Sequence, residues 1–388
     1  MTHRWVERQD ELDRLIDELA AQPRYAMDTE FHRERTYYPR LALVQFAWSS
    51  ATSADGEVEL ALVDPRVVDV RALARLFETP TLLVAHAAQQ DLDVLTHAVG
   101  AIPSRLFDTQ VAAGFVGYGT PSLSSLLQGE LGITPAKGDR LTDWLRRPLT
   151  DGQKAYAESD VAWLLQLQDC LSAEVDALGR MTWVEEACEE LRTRPTGATP
   201  PDLAWLKLKD AKSLRSRARA VAQGVAAWRE REAAATDVPV RQVLPDLAVL
   251  GIAQRQPTNL DELGQARGVD ERHRRGRTGR ELVETVARAR AAEPPAVPNG
   301  VDDLDRSMRP AVTLVSAWVS QVARDARIDT ALLATRADLV AMLRDDPDAK
   351  LAHGWRAELL GDGIARLLDG RSALTFDGKG SLRLVDLS

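Results

Sequence analysis

Tyr25-Ala26-Met27-Asp28-Thr29-Glu30-Phe31 is the stretch on which the reading of the fold turns. It has the composition of a buried strand, and strand side chains alternate faces, so Asp28 and Glu30 point the same way. Ala26 shares their face, while Met27 and Phe31 supply apolar packing on the other. Two neighbouring carboxylates on a central strand repel each other and are costly to bury unless a cation neutralises them. A divalent metal is the simplest reason to keep both. A strand that ends at the surface with two solvated acids is the competing reading, and seven residues do not decide between them.

The 388-residue chain is long enough for two or three domains. A hydrophobic content of 45% and a charged content of 28% are those of a soluble globular protein. No uninterrupted apolar run approaches the roughly 20 residues of a membrane span. The opening Thr2-His3-Arg4-Trp5-Val6-Glu7-Arg8 is too polar for a signal peptide. Cys170 and Cys188 sit in helical patterns and suit reduced thiols, so a cytoplasmic location is expected.

The net charge of -9 argues against a polyanionic partner, but its distribution is uneven. Residues 1–200 hold 19 basic and 31 acidic side chains, whereas residues 201–292 hold 18 basic and 12 acidic. An acidic first part followed by a basic middle part fits a metal-binding domain beside a module that touches phosphates.

Around the acidic strand, residues 9–20 have the apolar spacing of an amphipathic helix. A polar turn at 32–39 leads to strands at Leu41–Trp48 and Val58–Val63, separated by turn residues 51–56. The first three strands are expected to be antiparallel. A helix at Val67–Phe77, a strand at Thr81–His86, a helix at 89–99 and a short strand at 105–107 follow. Asp108 then stands at the N-cap of a helix over Thr109–Val116. The expectation is an α/β domain with a mixed sheet covered by helices, compatible with a ribonuclease-H-like fold. Pro121-Ser122 opens a short helix, and Leu149-Thr150-Asp151 caps a long one reaching about residue 178. Linkers at Arg194–Pro201 and Glu293–Gly300 divide the chain into 1–194, 202–292 and 301–388. The last two are mainly α-helical, and Ala373–Phe376 with Ser381–Leu387 form a terminal hairpin.

Two more carboxylates complete the pattern. Asp91 lies in the first turn of the helix after His86, where the helix dipole alone would favour an acid. Tyr156 and Asp160 are four apart and share one helix face, with Val161, Leu164 and Leu165 marking the apolar side near Asp160. Glu158 is rotated away and is expected to be solvent-exposed.

Asp28-Thr29-Glu30-Phe31, His86 with Asp91-Leu92, and Tyr156-Ala157 with Asp160-Val161 resemble the three exonuclease motifs of the ribonuclease D family. This is the branch of the four-acid 3′→5′ exonucleases with tyrosine in the third motif. Asp108-Thr109-Gln110, and Thr142-Asp143-Trp144 leading into Arg147-Pro148-Leu149-Thr150, also look like that family, and the likeness covers residues 20–180. Many relatives in the wider group carry Asn where this chain has His86. Residues 203–290 resemble the HRDC helical domain, through Leu214–Trp228, Leu244-Pro245-Asp246 and Pro257–Leu263. Residues 301–388 stand where the family carries a second such domain, with a weak match.

The resemblance implies a two-metal hydrolase that removes nucleotides from RNA 3′ ends, tRNA precursors and other structured RNA being the implied substrate class. Asp28, Glu30, Asp91 and Asp160 would hold two Mg²⁺ or Mn²⁺ ions, since oxygen-only ligands favour these over zinc. Tyr156 would orient the attacking water, because an unperturbed phenol is a poor base at neutral pH. Phe31 and Leu92 would pack near the terminal bases, and His86 would hydrogen-bond at the strand end. Lys137, Arg146 and Arg147 are candidate phosphate contacts near the site. Farther along stand two basic stretches, one with Lys207, Lys209, Lys212, Arg215, Arg217 and Arg219, the other with Arg272, Arg274, Arg275, Arg277 and Arg280. Neither has interleaved aromatics, so backbone tracking without base reading is expected. A monomer with no membrane partner is expected. The alternatives are a DNA 3′→5′ exonuclease of the same chemistry and a non-catalytic RNA-binding protein. The second would be favoured by loss of any of the four acids or Tyr156, and all five are present.

Overall fold

In the computed structural model, residues 3–49, 58–135, 142–297 and 304–387 are described. The chain forms two compact units. The first comprises Met1–Glu30, Ala42–Pro195 and Asn299–Ser388, and the second Phe31–Leu41 and Thr196–Pro298.

The first unit is built on a six-stranded mixed sheet. Its elements run β1 (His3–Val6), α1 (Gln9–Ala20), β2 (Arg24–His32), β3 (Arg40–Ser49), β4 (Val58–Val63), α2 (Ala74–Phe77), β5 (Leu82–Ala85), α3 (Gln89–Ala98) and β6 (Leu106–Asp108). The strand order is β1-β4-β3-β2-β5-β6. Strands β3 and β4 pair antiparallel, the link of residues 50–57 between them being too short for a parallel crossover, while β1–β4, β2–β5 and β5–β6 are parallel. Strand β1 has no counterpart in the sequence reading. It is four residues long and buries only Val6, so it carries no period-two signal. The helix expected at Val67–Phe77 is shorter, a 3₁₀ turn at Val70–Leu73 followed by α2. The turn residues expected at 51–56 lie outside the described residues.

Five helices follow: α4 (Thr109–Gly114), α5 (Leu123–Leu131), α6 (Asp151–Val161), α7 (Leu164–Ala177) and α8 (Met181–Arg192). Thr150 opens α6 with a capping box closed by Gln153. The single helix expected from Asp151 to about residue 178 is two, because Trp163 leaves helical geometry at φ -111°, ψ 0°.

In the second unit, α9 (Ser216–Thr236), α10 (Val240–Val243), α11 (Asp246–Arg255), α12 (Leu260–Gly264), α13 (Glu271–Arg274) and α14 (Gly276–Ala291) surround Trp205, Val221, Val225, Ile252 and Leu282. Pro239 and Pro245 stand immediately before α10 and α11, where the missing N–H costs nothing. The polar turn after β2 belongs to this unit. Tyr37 donates its hydroxyl to Glu230 at 2.8 Å, and the Tyr38 N–H and the Arg40 guanidinium both reach Asp237.

The C-terminal region forms α15 (Arg309–Ala326), α16 (Thr330–Leu333), α17 (Arg336–Met342), α18 (Gly354–Leu368) and the antiparallel hairpin β7 (Ser372–Phe376) and β8 (Leu382–Asp386). It shares one apolar core with α4, α7 and α8. Trp355 stacks on Trp183 at 5.2 Å between centroids and meets Phe115 edge-on. Asp329 donates its N–H to the Gly114 carbonyl at 2.7 Å and accepts from Thr120. A Cβ on Gly114 would come within 2.5 Å of Leu332 Cδ1, so a larger residue would have to displace that side chain.

Candidate active site

Strand β2 delivers two carboxylates and α6 a third. Carboxylate oxygens of Asp28, Glu30 and Asp160 lie within 4.8 Å of one another. The alternation of β2 puts Asp28 and Glu30 on one face, and the last turn of α6 places Asp160 over it. Asp91, in the first turn of α3, lies beside this group: its charge is the largest carboxylate influence on Asp28. Burial, then repulsion from Asp91, Asp160 and Glu30, pushes the Asp28 carboxyl well above the usual range. Burial likewise raises Asp91 to about 7, against a hydrogen bond from the Thr29 hydroxyl that lowers it. Oxygen-only donors packed this closely, with protonation favoured at Asp28 and Asp91, are what a bound divalent cation would relieve. The donor set therefore fits the hard cations expected from the sequence.

Tyr156 stands one helical turn before Asp160, with its ring 6.0 Å from that of Trp144. Its neighbour Glu158 differs from expectation: it is half-buried and in polar contact with His3 Nδ1 of β1. That partner lies on the strand the sequence did not reveal.

Asp108 organises the turn that leads to Asp91. It is fully buried and accepts four backbone N–H groups, from Ala87 (3.2 Å), Ala88 (2.8 Å), Gln110 (2.8 Å) and Val111 (3.2 Å). The cap of α4 thus also pins the start of α3, where Ala87 adopts φ 58°. Thr109 donates to the Ala85 carbonyl and lies 3.0 Å from His86 Nδ1. Burial holds His86 below its ordinary pKa and hence neutral, and its Nε2 has no partner among the described residues.

The outlying candidates divide. Leu92 is fully buried, so it cannot pack on a base: one residue past Asp91, the helix has rotated it into the core. Arg147 is no phosphate contact either. It grips the buried Asp64 through Nε (2.6 Å) and Nη2 (2.8 Å) and donates to the carbonyls of Ala42, Trp144 and Arg146. Phe31 is half-buried under the Arg33 guanidinium, Arg146 is exposed, and Lys137 lies outside the described residues. In the second unit Lys209, Lys212 and Arg215 are exposed, with no carboxylate partner among the described residues. The other basic stretch is largely neutralised: Arg272, Arg274, Arg275 and Arg277 all face Asp or Glu within 4 Å. Thr29 and Asp64 were missed as supporting residues. A small hydroxyl between two acids was the available signal for Thr29, and an acid closing an apolar strand was the signal for Asp64.

The mixed sheet and its carboxylate cluster define a class. A 3′-5′ exonuclease family model matches residues 3–176, and an HRDC domain model matches residues 218–286. The chain is 36% identical over 384 residues to the ribonuclease D of Jannaschia sp. (strain CCS1), covering 97% of this chain and 98% of that one. It is 31% identical over 380 residues to the ribonuclease D of Escherichia coli (strain K12), covering 95% and 99%. The crystal structure of Escherichia coli RNase D superposes with a TM-score of 0.84 at 30% identity, over 95% of this chain and 99% of that chain. The chain belongs to the ribonuclease D family.

Proposed function

We propose that the protein shortens RNA from the 3′ end, one nucleoside 5′-monophosphate at a time, and that structured RNA precursors such as tRNA are its substrates. The cluster of Asp28, Glu30 and Asp160, with Asp91 and Tyr156 beside it, carries this reading. Support for the RNA class comes from the ribonuclease D relatives, of which the Escherichia coli enzyme is described as an exoribonuclease involved in structured RNA processing. In this reading residues 1–194 are the exonuclease domain, 202–292 the HRDC domain and 301–388 a further helical domain. No described helix is long and apolar enough to cross a membrane. Two free cysteines fit a reducing compartment, and in this reading the protein works in the cytoplasm as a monomer.

Asp28, Glu30 and Asp160 would hold one Mg²⁺ or Mn²⁺ ion, and Asp28 with Asp91 a second. Bound in pairs, such ions make water nucleophilic near neutral pH and neutralise the leaving 3′ oxygen. Tyr156 orients the water that attacks the terminal phosphorus. The bond to the 3′ oxygen of the preceding nucleotide breaks, and the phosphate leaves on the released mononucleotide. Half-buried Phe31 offers the substrate an apolar surface, while His86, whose Nε2 is buried, supports the strand end beside the site. Lys209, Lys212 and Arg215 supply exposed charge for the RNA backbone.

The test compares wild type with Asp28→Asn on tRNA precursors labelled at the 3′ or the 5′ end, with Mg²⁺, Mn²⁺ or EDTA. Immediate mononucleotide release from the 3′ label is expected, absent from the variant and in EDTA. Equal RNA binding by both proteins without shortening under any metal would refute the reading. Single-stranded DNA in the same assay separates the RNA enzyme from a DNA exonuclease.

A further inference from the structure

Gln45 lies in the middle of β3, fully buried, and neither its Oε1 nor its Nε2 has a hydrogen-bond partner among the described residues. Buried amides are nearly always hydrogen-bonded, because an unpaired one keeps none of its contacts with water. An apolar residue would satisfy this position in a sheet that served only as a core. A glutamine there calls for something to bind.

The face on which it sits follows from the pairing. Strands β2 and β3 are neighbours in the sheet, and the rings of Tyr25 and Phe46 approach to 6.0 Å between centroids, so those two residues share one face. Alternation then places Ala26, Asp28 and Glu30 on the other face together with Gln45 and Ala47. Ala26 and Ala47 do share one core cluster. Leu62, opposite Gln45 in register on β4, packs with Ala157 of α6, the helix that carries Tyr156 and Asp160. Gln45 therefore lies on the carboxylate face of the sheet, under the helix that completes the site.

We infer that Gln45 is a positioning residue of the carboxylate site. With a cation held, its amide N–H would be available to one of the site's carboxylates and its carbonyl to a water of the site. The amide supplies both signs of hydrogen-bonding group where the four acids, once ionised, supply acceptors alone. Such outer partners fix ligand orientation, and their loss characteristically weakens metal binding. The inference rests on the exonuclease reading and adds a residue to it.

Gln45→Met separates this role from a structural one, because it keeps the length and removes both polar atoms. Removing an amide that serves nothing leaves the fold as stable or more so, and touches neither metal binding nor turnover. The inference predicts a melting temperature in EDTA equal to or above wild type. It also predicts Mn²⁺ affinity of the RNA-free protein lowered about tenfold, and kcat lowered with KM for RNA unchanged. Gln45→Leu, read in the same way, guards against a packing defect peculiar to methionine. Wild-type Mn²⁺ affinity and kcat in either folded variant overturns the inference. A wild-type protein that neither binds Mn²⁺ nor shortens RNA fails the exonuclease reading instead, so the two failures are distinguishable.

Discussion

Asp28 and Asp64 are carboxylates on the same sheet, in β2 and at the end of β4, yet they meet opposite surroundings. Asp64 receives the Arg147 guanidinium through two bonds and the Arg66 N–H through a third, so its charge is balanced inside the fold. Asp28 receives Asp91, Asp160 and Glu30, all of its own sign. Glu190 follows the Asp64 pattern: burial works against its ionisation, but Lys350 and Arg356 outweigh it and hold its pKa low. Both arrangements bury charge, but the groups that raise the Asp28 carboxyl are all carboxylates, whereas those that meet Asp64 and Glu190 are cations. A carboxylate tied to a guanidinium is a structural element, whereas one crowded by like charge is a candidate cation site.

The contrast is broken most directly by exchanging one member of each cluster. Asp28→Asn relieves repulsion and is expected to cost at least about a thousandfold in exonuclease rate, from lost metal-assisted stabilisation, with the melting temperature in EDTA held or raised. Arg147→Met should do the reverse. It leaves Asp64 buried and unpaired, at a cost of about 3–5 kcal/mol of stability, while the folded fraction keeps its RNA affinity. Thermal denaturation and single-turnover cleavage of both variants check the pair of expectations. A stable Arg147→Met protein with weakened RNA binding would return Arg147 to the substrate contacts.

pH sharpens the same comparison in the metal-free protein. The folded-state pKa values of Asp28 and Asp91 are raised above their unfolded values, Asp91 to about 7. Their stabilising contribution is complete below the unfolded carboxylate pKa near 4 and is lost as pH rises through about 7. The melting temperature in EDTA should therefore fall by roughly 5 °C between pH 5 and pH 8. Mg²⁺ at pH 8 should restore it, and Asp28→Asn should flatten the profile. A flat or rising wild-type profile in EDTA contradicts the raised values.

The smallest expected effect concerns the two basic stretches of the helical unit. Replacing Lys209, Lys212 and Arg215 with Ala should reduce the slope of log affinity against log salt concentration by about 2 for RNA. The equivalent replacement of Arg272, Arg274 and Arg275 should change it less, because acids already face those side chains. Equal slopes for the two triple variants would remove the distinction.

Much of the fold was legible because its signals are local. The paired acids of β2, the apolar runs of β3 and β4, the Thr150 cap and the spacing of Tyr156 and Asp160 each occupy a few adjacent residues. What escaped depends on partners distant in sequence. Arg147 reads as an exposed loop cation until Asp64, 83 residues away, is placed beside it. Glu158 reads as solvated until β1 brings His3 to it. Leu92 was misjudged for a different reason: it adjoins a site acid in sequence, but one helical step turns it from the carboxylates into the apolar core. Gln45 and Thr29 stood in quoted strands throughout. Their roles depend on which neighbours share their face, which pairing decides and composition does not.

The central claim is that the clustered carboxylates hold divalent cations, and crystals of the wild-type protein grown with Mn²⁺ test it most directly through anomalous scattering. The account predicts one peak bound by Asp28, Glu30 and Asp160 and a second shared by Asp28 and Asp91, both absent from Asp28→Asn crystals. Peaks confined to other surfaces, or none at saturating Mn²⁺, would contradict it.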